Sequence, residues 1–172
     1  MEAVMQNLIG QFNDVVRVLQ RSKVRYAVVG GVAVAIHGGV RTTKDIDLLV
    51  HPDDVEKLVV LLKADGYVAN PRSIVFRSSG MTMRRLWKRV QDQEDLLMLD
   101  LLPAEQPMHR RMLQKAVQLP WGGGQLPVVR PADLITMKQA RLSKTDQVDI
   151  QVLKRETKPT ANARRTRRAT GQ

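Results

Sequence analysis

The spacing of apolar residues predicts that the chain begins with an amphipathic helix and a buried strand. Within residues 1–21, apolar side chains recur every three or four positions, and we expect the helical face they form to cover a sheet. The run VRYAVV at 24–29 is short, rich in valine and ended by Gly30-Gly31, so it predicts a buried strand. A short helix at about 32–37 and a strand at 44–50 are predicted to follow.

The middle of the chain alternates regular patterns with turn signals. The segment HPDDVEKLVVLLKADGY predicts a helix, with Asp53 or Asp54 as its N-terminal cap. Between residues 72 and 102, turn residues at 78–80 and 91–95 separate three strand-like runs. We therefore expect a meander of three strands.

The last third of the chain predicts helices around one extended segment. The elements expected there are a helix over 106–117, a turn at 121–124, an extended segment at 125–129, a helix opened by Pro131 and a last helix over about 145–153. The whole order predicts an α/β (α+β) fold, a mixed sheet flanked by helices with a C-terminal helical segment.

Composition fits one folded domain that does not span a membrane. A length of 172 residues suits one domain, and its 43% of hydrophobic residues can build a core. Cysteine is absent, which permits a reducing cytoplasm and excludes a thiol nucleophile. No apolar run is long enough to span a membrane, and the acidic N-terminus is unlike a signal peptide. We expect a cytoplasmic protein.

The net charge of +11 is concentrated at the C-terminal end. Residues 154–172 contain seven Lys or Arg and one Glu, which is more than half of the excess. The segment has almost no apolar residue to bury, so we expect domain 1–156 to be followed by a disordered basic tail, 157–172. The tail is either an electrostatic arm for RNA or DNA or a solubilising terminus without a specific partner.

The glycine pair and the following strand suggest chemistry. Gly30 and Gly31 lie between a strand and a helix, where exposed backbone N–H groups suit a phosphate. In the strand at 44–50, Asp45 and Asp47 project to the same side while their apolar neighbours project to the other. The two carboxylates would repel each other, and a divalent cation relieves that repulsion.

Each of these features alone has an ordinary structural explanation. Many α/β turns contain two glycines, and alternating aspartates can simply face solvent. Aspartate is depleted in strands, however, and here its neighbours are strongly apolar. Taken together, the two features predict a site for a metal-bound nucleoside triphosphate.

The segment GGVAVAIHGGVRTTKDIDLLV resembles the nucleotidyltransferase superfamily with the DNA-polymerase-β-like catalytic core. The motif of that superfamily is a Gly-Gly or Gly-Ser turn followed by Asp-x-Asp or Asp-x-Glu. The similarity extends over about residues 10–155 and is greatest to small bacterial AbiEii-type toxins of type IV toxin–antitoxin systems. It implies the nucleotidyltransferase fold, a nucleoside triphosphate substrate and one or two Mg²⁺ ions.

The resemblance also implies a third carboxylate from a nearby strand. Asp100, within LLMLDLL, is the candidate, and a buried acid there needs a partner that metal would supply. By analogy Asp45, Asp47 and Asp100 hold the metal, and Asp100 also takes the proton from the attacking hydroxyl.

Three further residues are candidates for contacting the nucleotide. Arg41 and Thr43 match an Arg-x-Thr that precedes the acids in similar proteins, and helix-borne lysines at the place of Lys138 face the nucleotide in toxin relatives. Arg41 could equally make a structural ion pair, and Lys138 could be a solvated helix residue.

A basic stretch between residues 72 and 90 contains no acid. On paired strands it could form a groove for an RNA backbone, and the alternative is an exposed sheet face whose cations pair with acids elsewhere. The six residues are Arg72, Arg77, Arg84, Arg85, Lys88 and Arg89.

The sequence thus predicts an enzyme that moves a nucleoside monophosphate to an acceptor hydroxyl and releases pyrophosphate. The expected acceptor is RNA, possibly a tRNA end, with a toxin role and a cognate antitoxin as partner. The alternatives are a small-molecule nucleotidyltransferase of the antibiotic-resistance kind, which should have an acidic pocket, and a catalytically silent nucleic-acid-binding module.

Overall fold

The computed structural model describes residues 2–39, 43–76, 80–89, 96–141 and 144–156. The predicted basic tail, 157–172, lies outside the described residues. The helices are α1 (Glu2–Ser22), α2 (Gly30–Ile36), α3 (Val55–Ala64), α4 (Pro107–Gln114), α5 (Pro131–Arg141) and α6 (Lys144–Glu156). The strands are β1 (Tyr26–Val29), β2 (Asp45–Val50), β3 (Val68–Ala69), β4 (Ile74–Val75), β5 (Thr82–Arg89), β6 (Leu96–Pro103), β7 (Val117–Trp121) and β8 (Gly124–Val128).

The strands form a mixed sheet in the order β3-β5-β6-β2-β1-β8-β7, and β4 pairs with β5. The pairs β2–β6 and β1–β8 are parallel, whereas β1–β2, β5–β6 and β7–β8 are antiparallel. This arrangement confirms the predicted mixed α/β fold and the three-stranded meander of β4, β5 and β6.

The core lies on the central strands. Ile46, Leu48 and Leu99 are completely buried, and the β2–β6 register puts all three on the face opposite Asp47, so this face of the sheet carries the core. Helix α1 buries the apolar face that its spacing predicts, and its Phe12 ring meets the Trp121 ring of β7 edge-on at a centroid distance of 5.2 Å. Among the described residues, no helix is both long and apolar enough to cross a membrane.

Several predicted boundaries and contacts were wrong. Helix α2 begins at Gly30 rather than near residue 32, and residue 117 belongs to β7 instead of a helix. Asp54 occupies the N-cap position of α3 but makes no side-chain capping hydrogen bond. Its carboxylate accepts hydrogen bonds from the backbone N and the Nε of Arg25, at 2.9 and 2.7 Å, and these bonds lower its pKa.

Candidate active site

Four neighbouring strands contribute one residue each to a row across the sheet. Val29 of β1 pairs with Asp47 of β2, Asp47 pairs with Asp100 of β6, and Asp100 pairs with Arg85 of β5. Residues paired in this way project from the same face of a sheet. The row therefore runs from the end of β1, next to Gly30, past two carboxylates to a guanidinium.

The structure brings together the three predicted catalytic aspartates. Asp45 lies two residues before Asp47 on β2 and so shares its face, and both are partly buried, whereas Asp100 is only 3% exposed. All three line one cavity of about 460 Å³, which also contacts Gly30 and Gly31. We call this space the reaction cavity.

Gly30 is required by its backbone and by its neighbour. Its φ of 66° is in the left-handed region, which side chains disfavour. A Cβ built on Gly30 would lie 2.8 Å from the Cβ of Asp47 and closer still to its carboxylate. Glycine therefore allows the β1–α2 turn to lie directly against the Asp47 side chain.

The buried charge of Asp100 has a protein partner. The Nε and Nη2 atoms of Arg85 donate to its Oδ1 and Oδ2, both at 2.7 Å. These hydrogen bonds raise the pKa of the Arg85 guanidinium. The sequence led us to expect metal as the partner of this acid, and the structure places Arg85 there. We assigned Arg85 to an RNA groove because the register that places it opposite Asp100 is not visible in the sequence.

The donor set only partly fits a divalent cation. Asp45 and Asp47 offer the carboxylate oxygens that Mg²⁺ prefers, and Asp47 lies directly against the Gly30 turn. Both oxygens of Asp100 accept from Arg85, so this side chain would have to share them. Within the described ranges, no three acidic, histidine or cysteine side chains are placed as a ready metal-binding group. The residues present thus fit a cation held first by Asp45 and Asp47.

The predicted nucleotide-contacting residues fall at the same cavity, apart from Arg41, which lies outside the described residues. Thr43 lines the cavity, and its Oγ1 donates to the Asp45 carbonyl at 3.2 Å, which fixes the start of β2. Lys138 lines it too but is buried rather than solvated. Its Nζ donates to Asp149 Oδ2 at 2.6 Å and to Asp146 Oδ1 at 3.3 Å, linking α5 to α6.

The predicted RNA-binding residues do not share one surface. Alternation along β5 puts Arg84 and Lys88 on the face opposite Arg85. Lys88 donates to the Asp65 carbonyl at 2.6 Å, and Arg84 lies 3.8 Å from Glu56. The others are Arg72 and Arg89, which are exposed, and Arg77, which lies outside the described residues.

The apolar wall of the cavity and a buried histidine were not predicted from the sequence. His109 of α4 is 3% exposed, and its Nδ1 has no hydrogen-bond partner among the described residues. Burial lowers its pKa, so the ring is neutral near pH 7. The methionines lie on separate elements, so their spacing in the sequence does not indicate that they form a common wall. The larger apolar side chains of the lining are Phe76, Met81, Met83, Leu102, Met108, Leu134 and Met137.

Solved structures with a similar fold include two antibiotic-modifying enzymes. The lincosamide antibiotic adenylyltransferase LnuA, bound to lincomycin, is 18% identical, with a TM-score of 0.54, and the match covers 91% of this chain and 98% of LnuA. ANT(2″)-Ia in complex with adenylyl-2″-tobramycin is 14% identical, with a TM-score of 0.58 and coverage of 95% and 99%. A candidate nucleotidyltransferase of Thermotoga maritima is 11% identical, with a TM-score of 0.62 and coverage of 83% and 91%.

At these identities the structural matches show a shared fold, and the family follows from the sequence itself. No curated protein matches the sequence. A family model described as an uncharacterised nucleotidyltransferase matches residues 3–167, nearly the whole chain. The chain therefore belongs to this nucleotidyltransferase family, whose reaction is the transfer of a nucleotidyl group.

Proposed function

We propose that the protein transfers a nucleoside monophosphate from a nucleoside triphosphate to the hydroxyl of a small molecule. The observation that supports this most directly is the convergence of Asp45, Asp47 and Asp100 on a cavity that also contains the Gly30 turn. In this reaction the acceptor oxygen forms a bond to the α-phosphorus, the bond to the pyrophosphate oxygen breaks, and the acceptor proton passes to a base.

The nucleotide half of the cavity begins at the glycine turn. We assign the triphosphate to Gly30 and Gly31, because both line the cavity beside the aspartates at the start of α2, where backbone N–H groups have no acceptor within the helix. Thr43 and Lys138 line the same space, and Arg41 precedes it along the chain. Lys138 would lie near the nucleotide with its ammonium held by Asp146 and Asp149 of α6, so the charge of the triphosphate would be balanced chiefly by the divalent cation.

Asp45 and Asp47 would hold Mg²⁺, and Asp100 would complete the set by sharing an oxygen with Arg85. Bound there, the ion would neutralise phosphate charge and polarise the reacting phosphoryl group. Asp100 lies at the acceptor end of the aspartate row and is the residue we assign to receive the acceptor proton. Arg85 orients that carboxylate through two hydrogen bonds.

Two features of the cavity favour a small molecule as the acceptor. Its two described cationic side chains, Arg85 and Lys138, both donate to carboxylates, so neither offers an unengaged charge to a polyanion. Four aspartates line the cavity, including Asp146 of α6. Such a balance of charge suits a neutral or cationic acceptor better than an RNA backbone.

RNA is a second candidate acceptor, because the net charge is +11 and Arg72 and Arg89 are exposed at one edge of the sheet. In that case the protein would act in the cytoplasm as an AbiEii-type toxin with a cognate antitoxin. The resemblance noted above and the charge are what support this reading.

The test is nucleotidyl transfer from each of the four α-labelled triphosphates with Mg²⁺. The acceptors are total RNA, lincomycin and tobramycin, the last two taken from the ligands of the structural neighbours. Asp47→Asn should abolish transfer to whichever acceptor is labelled, whereas Asp53→Asn, at an exposed acid outside the cavity, should not. Equal transfer by both variants would refute the assignment of the site.

A further inference from the structure

The backbone as well as the side chain places Arg85 on Asp100. The two residues are direct partners in the antiparallel β5–β6 register, so their side chains leave the same face of the sheet next to each other. The Nε and Nη2 atoms of Arg85 donate to the two carboxylate oxygens of Asp100, both at 2.7 Å. The Asp100 side chain is only 5% exposed, so its charge is held by Arg85 rather than by bulk water.

The charge of Arg85 also acts on the other two aspartates. The hydrogen bonds to Asp100 raise the pKa of Arg85, and the negative charges of Asp45 and Asp47 raise it further. All four side chains line the reaction cavity. A cation among three carboxylates relieves their mutual repulsion, and the guanidinium already supplies one positive charge for that purpose.

The three aspartates are not equivalent as metal ligands. In the part of the chain that the structure describes, no three acidic, histidine or cysteine side chains are placed to hold one ion. Asp45 and Asp47 share one face of β2, whereas Asp100 lies on β6 with both of its oxygens engaged by Arg85. An ion held by Asp100 alone would lie next to the guanidinium. Two neighbouring cations repel each other strongly in a partly buried site, so this position does not favour a divalent ion.

We propose that the site takes one divalent cation, held first by Asp45 and Asp47, and that Arg85 occupies the place beside Asp100 where a second ion would otherwise bind. The proposal rests on the proposed function, which puts a nucleoside triphosphate in the same cavity. In two-metal sites, one ion serves the attacking oxygen and the other the leaving oxygen. Here the positive charge at the acceptor end is part of the protein, so it is present at any Mg²⁺ concentration.

The test counts the Mn²⁺ ions bound to each protein molecule at saturation, from the electron paramagnetic resonance signal of free Mn²⁺, with one equivalent of a non-hydrolysable ATP analogue. Mn²⁺ takes the same oxygen ligands as Mg²⁺. The unaltered protein should bind one ion. Arg85→Gln removes the guanidinium and releases both oxygens of Asp100, so this variant should bind two.

Arg84→Gln is the matched control and should bind one ion. Arg84 is the preceding residue on β5, projects from the opposite face and does not line the cavity. A second measurement uses the unaltered protein: the Nε–H signal of Arg85 in NMR should stay protected from exchange with water when Mg²⁺ and the analogue are added, because the hydrogen bond to Asp100 persists. If Arg85→Gln fails to fold, this protection and the ion count of the unaltered protein decide the question.

The inference is overturned by two ions in the unaltered protein or in Arg84→Gln, by a single ion in folded Arg85→Gln, or by loss of the Nε–H protection when Mg²⁺ is added. The amide signals of Gly30 and Gly31, which line the cavity, test the proposed function separately. If the analogue with Mg²⁺ shifts them and the unaltered protein binds two ions, only the inference fails. If the analogue leaves both signals unchanged, the proposed function fails, and with it the inference.

Discussion

Asp100 carries a charge inside an apolar strand, and Arg85 makes that burial tolerable. The carboxylate is almost fully buried, and each of its oxygens accepts a hydrogen bond from the same guanidinium. A bidentate pair fixes the direction of the carboxylate as well as its charge. The side chain assigned to receive the acceptor proton is therefore held in one orientation before any substrate binds.

A double-mutant cycle should show strong coupling within this pair. Arg85→Gln leaves a buried carboxylate without its cation and should lower the free energy of unfolding by about 3 kcal/mol, the lower end for buried pairs because a third of Arg85 is exposed. With Asp100→Asn, the coupling energy should be about 1–3 kcal/mol. Urea denaturation of the single and double variants measures both quantities.

The pair Arg17–Asp14 is a matched control for this cycle. Its nitrogen–oxygen distance is 2.6 Å, but both side chains are at least half exposed. Its coupling should stay below about 1 kcal/mol, as for other surface pairs. Equal coupling in the two pairs would contradict the role we give to the burial of Asp100.

His109 should make stability depend on pH near neutrality. Burial lowers its pKa in the folded protein, while the unfolded chain keeps a value of about 6.5. As the pH falls through that value, the unfolded state takes up a proton and the folded state does not, so the free energy of unfolding decreases.

Between pH 7.5 and 5.5 the free energy of unfolding should fall through this group by at most about 1.4 kcal/mol for each pH unit. Urea denaturation of the unaltered protein and His109→Phe at both pH values isolates the effect, because contributions from all other ionisable groups are common to both. The same pH dependence in the two proteins would show that His109 is not responsible.

The turn between β1 and α2 determines how closely the nucleotide half approaches Asp47. Gly30→Ala should both strain the backbone and press a methyl group against the Asp47 side chain. We expect at least a 100-fold loss of nucleotidyl transfer, on the order of 3 kcal/mol in transition-state stabilisation. Initial rates at saturating triphosphate measure the loss.

Gly122→Ala is the matched control for that substitution. Gly122 also has a positive φ, of 54°, but a Cβ there would meet no atom within 4 Å, and it lies in the β7–β8 turn away from the cavity. It should cost stability without a comparable loss of rate. If both variants lose stability and transfer rate in parallel, backbone strain alone accounts for the effect of Gly30→Ala.

Elements with long apolar patterns could be predicted from the sequence, and those set by pairing partners could not. Helix α1 and strand β2 were predicted within a few residues because their periodicity is strong. Strand β3 has two residues, and β7 contains Pro120, so neither shows a strand pattern before its partner is known.

The same dependence on pairing partners limits how much of the candidate site could be predicted from the sequence. Asp45 and Asp47 could be placed together because alternation along one strand is independent of the rest of the fold. The partner of Asp100 depends on the β5–β6 register: a slip of one residue would put Arg84 or Leu86 opposite it. The cavity wall around His109 joins residues from several elements and required the complete fold.

At the scale of the whole molecule, the exposed cations Arg72 and Arg89 lie outside the reaction cavity. The described cations within the reaction cavity hold carboxylates, whereas Arg72 in the loop between β3 and β4 and Arg89 at the end of β5 are exposed. Residues 157–172 add five basic side chains to the sequence. We therefore expect any binding of RNA to depend on Arg72, Arg89 and the basic residues of 157–172 rather than on the cavity cations, which already hold carboxylates. This separation makes the second candidate acceptor testable without altering the site.

Deletion of residues 157–172 should leave the melting temperature nearly unchanged, because their composition predicts no buried apolar surface. If the tail contacts RNA phosphates, the slope of log affinity against log salt should fall in magnitude by as much as about 3.5, since five cations are removed. Affinity for a triphosphate analogue at fixed salt should not change.

The measurement is RNA binding across a salt series for the full chain and for the truncated chain. A full-length variant carrying Arg72→Gln and Arg89→Gln is the comparison for the sheet edge. A melting temperature lower by many degrees would show that the tail packs on the domain. An unchanged salt slope in both altered proteins would remove the tail and the sheet edge from RNA binding and leave the small-molecule acceptor as the sole candidate.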